Sequence, residues 1–383
     1  MSAPLDLADL KAVPLRRFLL YFLGLGTWGF GGPIASVGYL QRDLVERRRW
    51  ISRATFLDGV ALGQTMPGPL AAQVVMWIGF LRAGVLGALA TALAFVAPSF
   101  ALVAAVAVVY VRYAELSVVQ ALFYGIAPVV MAIIAVAAVK LARLTNRRDW
   151  RLWAISAVLG VTTAVTGAEI AVLFIAAGLL MVALDAPPHW SSRRTSAGLS
   201  MGGALATASL GGGTLLALGW FFFKAGAFIF GSGLAIVPFL REGVVDQHHW
   251  LTDRQFLDAV ALGLITPGPV VITATFVGYL VAGWPGAIVA TVAIFIPIYL
   301  GVVIPGPWFL RHRDNRQIKA FVSGATAAAA GAIAGAVVVL TRQTVTDPAT
   351  IGIAVTALAV LILTKLKEPW LVAAGAAAGL LLY

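Results

Sequence analysis

Residues 56–69 read FLDGVALGQTMPGP, and residues 256–269 read FLDAVALGLITPGP. Ten of these fourteen positions are identical. The match continues upstream without a gap, pairing Gly26 with Gly226 and Trp50 with Trp250, and downstream with a shift of 199, pairing Pro98 with Pro297. Self-similarity on this scale indicates a repeated fold unit. The sequence therefore predicts two copies of one unit.

The repeat divides the chain into four parts. We expect a cytoplasmic N-terminal segment at residues 1–14, a first copy at 15–184 and a second copy at 215–383. The linker between them, residues 185–214, contains DAPPHWSSRRTSAG and an extra span at about 199–217.

Composition places the chain in a membrane. Hydrophobic residues make up 61% and charged residues 11% of the 383 residues, against about half and about a quarter in soluble domains. Apolar stretches such as residues 85–111 and 118–139 are long enough to cross a hydrocarbon core of about 30 Å as helices. No removable signal peptide is evident, and the absence of cysteine excludes thiolate metal sites. We predict an all-α polytopic membrane protein.

Loop charges predict that the two copies face opposite ways. Residues 41–53 of the first copy carry five arginines and two acids, whereas residues 241–254 of the second carry two arginines and three acids. Basic loops mark the cytoplasmic side, so inverted repeats follow, as in many secondary transporters. We expect a multi-pass inner-membrane protein with a cytoplasmic N-terminus and an outer C-terminus. The net charge of +11 lies in these loops, and no nucleic-acid partner is expected.

Each copy contains two breaks in apolar segments. They fall at residues 31–33 and 67–69 of the first copy and at 231–233 and 267–269 of the second. Proline and glycine interrupt helices, and such breaks are tolerated in a membrane only where protein or a cavity surrounds them. Broken helices at matching positions indicate a transport site near mid-membrane. Broken spans and re-entrant hairpins both fit, as does close helix packing through small residues.

The breaks suit an anion. A helix that begins after a turn presents backbone N–H donors at the positive end of its dipole. Nearby hydroxyls and amides could add donors for a tetrahedral oxyanion. The predicted substrate-binding residues are Phe30, Gly31, Gly32, Pro33, Gln64, Thr65, Pro67, Gly68, Pro69, Gln73, Lys224, Phe230, Gly231, Ser232, Gly233, Thr266, Pro267, Gly268, Pro269 and Thr273.

Three charged residues carry alternative interpretations. Lys224 lies in an apolar stretch and could offset the charge of a bound dianion or extend to the interface. Asp58 and Asp258 are matched carboxylates one turn after Ser52 and Thr252, which are predicted to be helix N-caps. These carboxylates could stabilise helix ends or couple transport to protons. All four histidines fall in loops, so neither a metal site nor a cofactor is expected.

The paired FGGP, FLDGVALGQTMPGP, FGSGLAIVPFL and FLDAVALGLITPGP segments resemble the chromate ion transporter (CHR) family in its long, two-domain form. The resemblance covers nearly the whole chain. It implies an inner-membrane carrier that exports chromate and confers resistance, with functional positions at Phe30–Pro33, Gln64–Pro69, Phe230–Gly233 and Pro267–Pro269. Gly233 replaces Pro33 and Leu264 replaces Gln64 in the second copy, so the two sides of the site are not equivalent.

Several alternatives stay open at this point. Sulfate or another tetrahedral oxyanion presents the same acceptor geometry as chromate. A channel also fits, as does a membrane-embedded enzyme that uses Asp58 and Asp258. The expected partners are the oxyanion and the lipid bilayer, and a homodimer is compatible with the pattern.

Overall fold

The computed structural model describes residues 8–29, 32–113, 115–166, 171–187, 213–229, 236–308, 315–364, 366 and 368–383. Regular structure in these residues is helical, without strands. The first copy contains α1 Ala8–Ala12, α2 Leu15–Trp28, α3 Gly32–Leu40, α4 Arg53–Thr65, α5 Leu70–Tyr113, α6 Ser117–Asn146, α7 Trp150–Thr166 and α8 Ala171–Asp185. The second contains α9 Thr214–Phe228, α10 Ile236–Arg241, α11 Asp253–Ile265, α12 Thr273–Val303, α13 Arg316–Thr344, α14 Pro348–Leu363 and α15 Glu368–Leu382.

In the described part of the chain, four helical stretches are long and apolar enough to cross a membrane: Leu70–Tyr113, Ser117–Asn146, Val270–Trp308 and Arg316–Arg342. The predicted all-α polytopic fold is confirmed. Of the predicted extra span at 199–217, only residues 213–217 are described, and residues 214–217 form the start of α9.

The early broken segments are hairpins that begin and end at one face of the bundle. Trp50, which follows α3, packs on Phe18 and Tyr21 at the start of α2, with ring centroids 6.1 and 5.7 Å apart. Arg82, near the end of the first segment of α5, donates to the carbonyl oxygens of Leu10 and Val13. Thus α2–α3 and α4 with the start of α5 both return to this face, which we call the first face.

The second copy repeats the hairpins from the opposite face, called the second face. Trp250 follows α10 and packs on Phe221 near the start of α9, with ring centroids 5.8 Å apart. Contacts between the copies join the start of a helix segment in the first copy to the end of a helix in the second. Tyr299, near the end of α12, donates to the carbonyl of Val85 at 2.9 Å, and the hydroxyl of Tyr383 donates to Gln120 near the start of α6. The copies are therefore inverted, as the loop charges predict.

The long helices α5 and α12 break at equivalent points with the same geometry. Ala83 and Gly84 have φ values of −144° and 60°, and Ala282 and Gly283 have −147° and 60°. The second copy is one residue shorter between its PGP turn and this break. A 3₁₀ turn, Val270–Ile272, stands there. Three 3₁₀ residues rise about 6 Å, as do four α-helical residues, so the tighter turn keeps the two hairpins equally long.

The last two helices of each copy pack against the other copy. Helices α7 and α8 of the first copy pack on α13 of the second, while α14 and α15 pack on α6. Glycines carry these crossings: a Cβ at Gly125 would meet the backbone of Gly375, and one at Gly331 would meet the backbone of Ser156. Such close approach is typical of helix packing in membranes. It ties the inverted copies into one bundle.

Candidate functional site

The two PGP turns have the same local build. Each follows a short helix, α4 or α11, whose N-cap is Ser52 or Thr252, as predicted. The Ser52 hydroxyl accepts from the N–H of Thr55, and Thr252 forms a capping box with Gln255. The turn glycines Gly68 and Gly268 have φ values of +139° and +103°, which residues with a Cβ rarely adopt. Glycine is therefore required at both turns.

The first turn is held from within its own copy. The side-chain amide of Gln73 is fully buried and donates to the carbonyl oxygens of Met66 at 3.2 Å and Pro67 at 2.8 Å. The N–H of Gly68 donates to the carbonyl of Ile229, at the end of α9, at 2.6 Å. The Gln73 amide thus closes the turn, and the Gly68 N–H ties it to the second copy.

The second turn is held by the first copy. The buried Ser99 hydroxyl donates to the carbonyl of Pro267 at 2.7 Å and lies 3.4 Å from the carbonyl of Gly26. A Cβ at Gly268 would collide with Ser99, just as a Cβ at Gly68 would stand 3.0 Å from Ile298 Cγ2. Ser99 and Ile298 are equivalent residues, one beyond each matched helix proline. Each turn therefore rests on the proline-containing helix of the opposite copy.

The threonine hydroxyls predicted as anion donors already donate within their own helices. They bond the carbonyls of residues three or four positions earlier, at 2.6 Å from Thr65, 2.8 Å from Thr266 and 2.8 Å from Thr273. A hydroxyl has one proton to donate, so these groups offer an anion no free donor here. Gln64 is exposed. The donors left at the turns are backbone N–H groups in the first turn of α5, which lack an acceptor within that helix.

The glycine breaks are described only in part. Phe30, Gly31, Phe230, Gly231, Ser232 and Gly233 lie outside the described residues, and α3 begins at Gly32 followed by Pro33. Gly29, the last described residue before α3, donates its N–H to the carbonyl of Leu25 at 2.7 Å and caps the C-terminal end of α2. Helix α2 therefore ends before the predicted break at residues 31–33, and α3 begins at Gly32, within it.

A basic pocket opens at the first face. Its volume is about 330 Å³, and it is lined by Arg16, Arg17, Leu20, Tyr21 and Arg48. The Arg48 guanidinium lies over the rings of Tyr21 and Trp50, 4.9 and 5.0 Å from their centroids. The sequence indicated Arg48 only as a topology signal, and Arg16 and Arg17 were not singled out. Their shared pocket depends on the return of the α2–α3 hairpin.

The charge of Lys224 lies near His248, in the loop at the second face. The lysine is half-buried in α9. Burial, and next the positive charge of Lys224, lower the pKa of His248, and the His248 ring stacks on Trp250 with centroids 4.2 Å apart. Of the two predicted roles for Lys224, this position favours a side chain that extends to the interface over one placed at the central turns.

The matched carboxylates occupy different environments. Asp258 is 3% exposed, and one of its oxygens accepts a hydrogen bond from the Tyr110 hydroxyl at 2.5 Å. Asp58 is half-buried and belongs to the hairpin that opens on the first face. The structure therefore does not bring the two carboxylates together. Tyr110 was missed by the sequence analysis; the available signal was a tyrosine in an apolar helix at the position of Phe309 in the second copy.

Comparison with known proteins agrees with this architecture. A family model described as chromate transporter matches residues 16–182 and again residues 216–380. The chain belongs to the chromate transporter family. The predicted resemblance is thus confirmed, and the family is one of transporters rather than enzymes.

Individual relatives extend over nearly the whole chain. A chromate transport protein of Cupriavidus metallidurans is 48% identical over 96% of this chain and 93% of its own length. A probable chromate transport protein of Synechococcus elongatus is 48% identical over 97% of this chain and 96% of its own. A chromate transport protein of Pseudomonas aeruginosa is 31% identical over 88% and 84%. No solved structure matches the chain.

Proposed function

We propose that this protein exports chromate across the bacterial inner membrane and thereby confers chromate resistance. The observation that carries the proposal is the inverted pair of PGP turns, each seated on the opposite copy, in a chain nearly half identical to chromate transport proteins along its length. An oxyanion bound at these turns would accept from backbone N–H groups at the positive end of α5.

We assign the first face to the cytoplasm. The arginines of the basic pocket lie there together with the arginine-rich loop that follows α3, and basic residues mark cytoplasmic loops. In this orientation the pocket would concentrate an anion at the entrance, because a cluster of like charges raises the local concentration of counter-ions. The second face would then be the side of release.

Energetics favour export. Moving one charge through about 100 mV is worth about 2.3 kcal/mol, so a dianion that leaves a negative-inside cell gains about 4.6 kcal/mol. Rocking of the inverted copies against each other would expose the central turns to each face in turn, as inverted repeats do in other transporters. The turns resting on the opposite copy would separate or slide during this motion.

Inside-out vesicles provide the test, because they expose the proposed entrance. We expect chromate uptake that depends on the protein and rises with an inside-positive potential, with unlabelled sulfate as competitor. Replacing the arginines of the basic pocket by glutamine, as R16Q, R17Q and R48Q together, should lower uptake at low chromate concentration several-fold. The control is R112Q, which removes an exposed arginine at the second face.

Three outcomes count against the proposal. Uptake of sulfate with no uptake of chromate would assign another oxyanion. Uptake only into right-side-out vesicles would reverse the direction. Failure of the protein to protect growing cells from chromate, despite transport in vesicles, would remove the resistance role.

A further inference from the structure

Outside the central turns, the buried carboxyl group of Asp258 lies against the hydroxyl of Tyr110. Asp258 is 3% exposed, and in the described part of the chain its one hydrogen bond comes from the Tyr110 hydroxyl. Tyr110 is itself packed between the rings of Phe123 and Phe276, at 5.7 and 5.0 Å. A buried carboxylate with a single neutral donor is costly to ionise. It is therefore suited to hold a proton.

A cavity connects this carboxyl group to the second face. Its volume is about 350 Å³. Among the described residues, the groups with charge or a titratable proton around the carboxyl or the cavity are few: Tyr110, Tyr124, Asp253, Arg254, Tyr383 and, bonded to Tyr124, Asp347. Asp253 is paired with Arg241 at 3.0 Å, and Arg254 is exposed at the rim. Water can therefore deliver a proton from this side.

The hydrogen bond crosses between the two copies. Asp258 lies on α11, in a hairpin of the second copy, while Tyr110 lies on α5 of the first. A movement of one copy against the other changes this contact, so the protonation state of Asp258 and the conformation of the transporter are linked. An ionised Asp258 also opposes the passage of a dianion towards the second face, whereas a protonated one does not.

The carboxylate of the first copy, Asp58, is not matched by an equivalent tyrosine in the sequence. The position that matches Tyr110 is Phe309, which has no hydroxyl, and Asp58 is half-buried rather than fully buried. The two carboxylates that the sequence treats alike are therefore not alike in the structure.

We propose that Asp258, with Tyr110 as its positioning residue, is the proton-binding site of this transporter and exchanges a proton from the second face for each oxyanion cycle. The proton adds to a carboxylate oxygen of Asp258 from the second face when the cavity is open, and it is released to water at the first face in the other half of the cycle. The coupling rests on the proposed oxyanion transport; the proton site itself does not.

Transport in proteoliposomes tests the coupling. The potential is clamped, a pH gradient is imposed with the second face acidic, and chromate accumulation is measured. For one proton exchanged per cycle, the accumulation ratio should change about tenfold per pH unit in the wild type. D258N should lose this dependence while retaining transport driven by a potential. The matched control D58N should keep it, and Y110F should shift the pH at which transport is half-maximal.

A second readout does not involve chromate. In purified protein, the infrared carbonyl stretch of a protonated carboxylic acid should titrate with pH, and the titrating band should vanish in D258N and persist in D58N. If the wild type shows this band but does not transport chromate, the proton site is supported and the proposed function is overturned. A pH response that is equal in D258N and wild type, or a titrating band that D258N leaves unchanged, would overturn the site. If D258N does not fold, Y110F and D258E keep the carboxyl group and should each shift the pH of half-maximal transport and the pH at which the band titrates. An unchanged pH in both variants would overturn the site.

Discussion

The two copies share a backbone and differ in what holds their central turns. The first turn is closed by a residue of its own copy, Gln73, and the second by Ser99 of the opposite copy. The equivalent of Ser99 is the apolar Ile298, and the equivalent of Gln73 is Thr273, which bonds the carbonyl of Val270. The same fold unit therefore works with two different side-chain supports. Only the second turn is held by a side chain of the opposite copy, whereas the first is tied to that copy through the Gly68 N–H and the carbonyl of Ile229.

The largest expected effect comes from adding a methyl group at the turn glycines. G268A would combine a left-handed backbone with a collision against Ser99, and G68A would meet the end of Gln73 at 2.9 Å. Backbone strain of about 1–3 kcal/mol and overpacking of about 1–3 kcal/mol add up, so both variants should melt well below the wild type in detergent.

We expect G268A to be the more harmful of the two, because the serine that it meets is attached close to a helix backbone, whereas the Gln73 amide can move. The control is G24A, since a Cβ at Gly24 meets nothing within 4 Å and alanine favours the helix. Equal melting temperatures for G268A and G24A would contradict the described turn.

The next largest expected effect distinguishes the two side chains that support the turns, Gln73 and Ser99. Q73L leaves two partly buried carbonyl groups, of Met66 and Pro67, without their donor, and S99A leaves one, of the buried Pro267. An unsatisfied buried group costs about 1–3 kcal/mol, so Q73L should destabilise the protein more than S99A. The measurement is thermal unfolding of the purified variants.

The double variant sharpens this comparison. Because the turns are held separately, the effects of Q73L and S99A should add within about 0.5 kcal/mol. S323A is the control for S99A, because the Ser323 hydroxyl donates to the carbonyl of Lys319 in its own helix rather than to the opposite copy in the described part of the chain. A strong coupling between Q73L and S99A would show that the turns form one unit.

The sequence predicted well the turns, hairpins and inverted copies that surround this site. The repeat located the turns, the glycine and proline breaks located the hairpins, and the loop charges gave the inversion. Each of these signals is local, or compares one copy with the other. The change of the repeat shift from 200 to 199 indicated a missing residue, but not the 3₁₀ turn Val270–Ile272 that compensates for it.

The hydrogen-bond partners of the hydroxyl groups near the turns could not be predicted from residue type. Thr65 and Thr266 have the right chemistry, but in a helix a threonine hydroxyl reaches the carbonyl one turn back. Ser99 and Tyr110 bond partners 168 and 148 residues away. Such contacts depend on how the copies pack, and the only local signal is a polar side chain in an apolar helix.

The smallest expected effect compares two carboxylates that cap helices at opposite faces. Asp149 accepts from the N–H of Arg151 at 2.9 Å at the start of α7. Asp347 caps α14 and accepts from the Tyr124 hydroxyl of the other copy at 2.8 Å. Hydrogen bonds lower the pKa of both carboxyl groups, chiefly from the Arg151 side chain to Asp149 and from the Thr350 N–H to Asp347.

A lowered pKa in the folded protein means that the ionised form is favoured there. The resulting stability is fully present above the unfolded pKa of about 3.9 and is lost as the pH falls through the folded value. D149N and D347N should therefore each lower Tm slightly at neutral pH and converge on the wild type in acid.

Added salt should reduce the effect of D149N more than that of D347N. Asp149 depends on the charge of Arg151, whereas Asp347 is bonded by a neutral hydroxyl and backbone N–H groups. If salt removes the effect of D347N as readily as that of D149N, the hydrogen bond from Tyr124 to Asp347 between the copies contributes little to the stability that Asp347 provides.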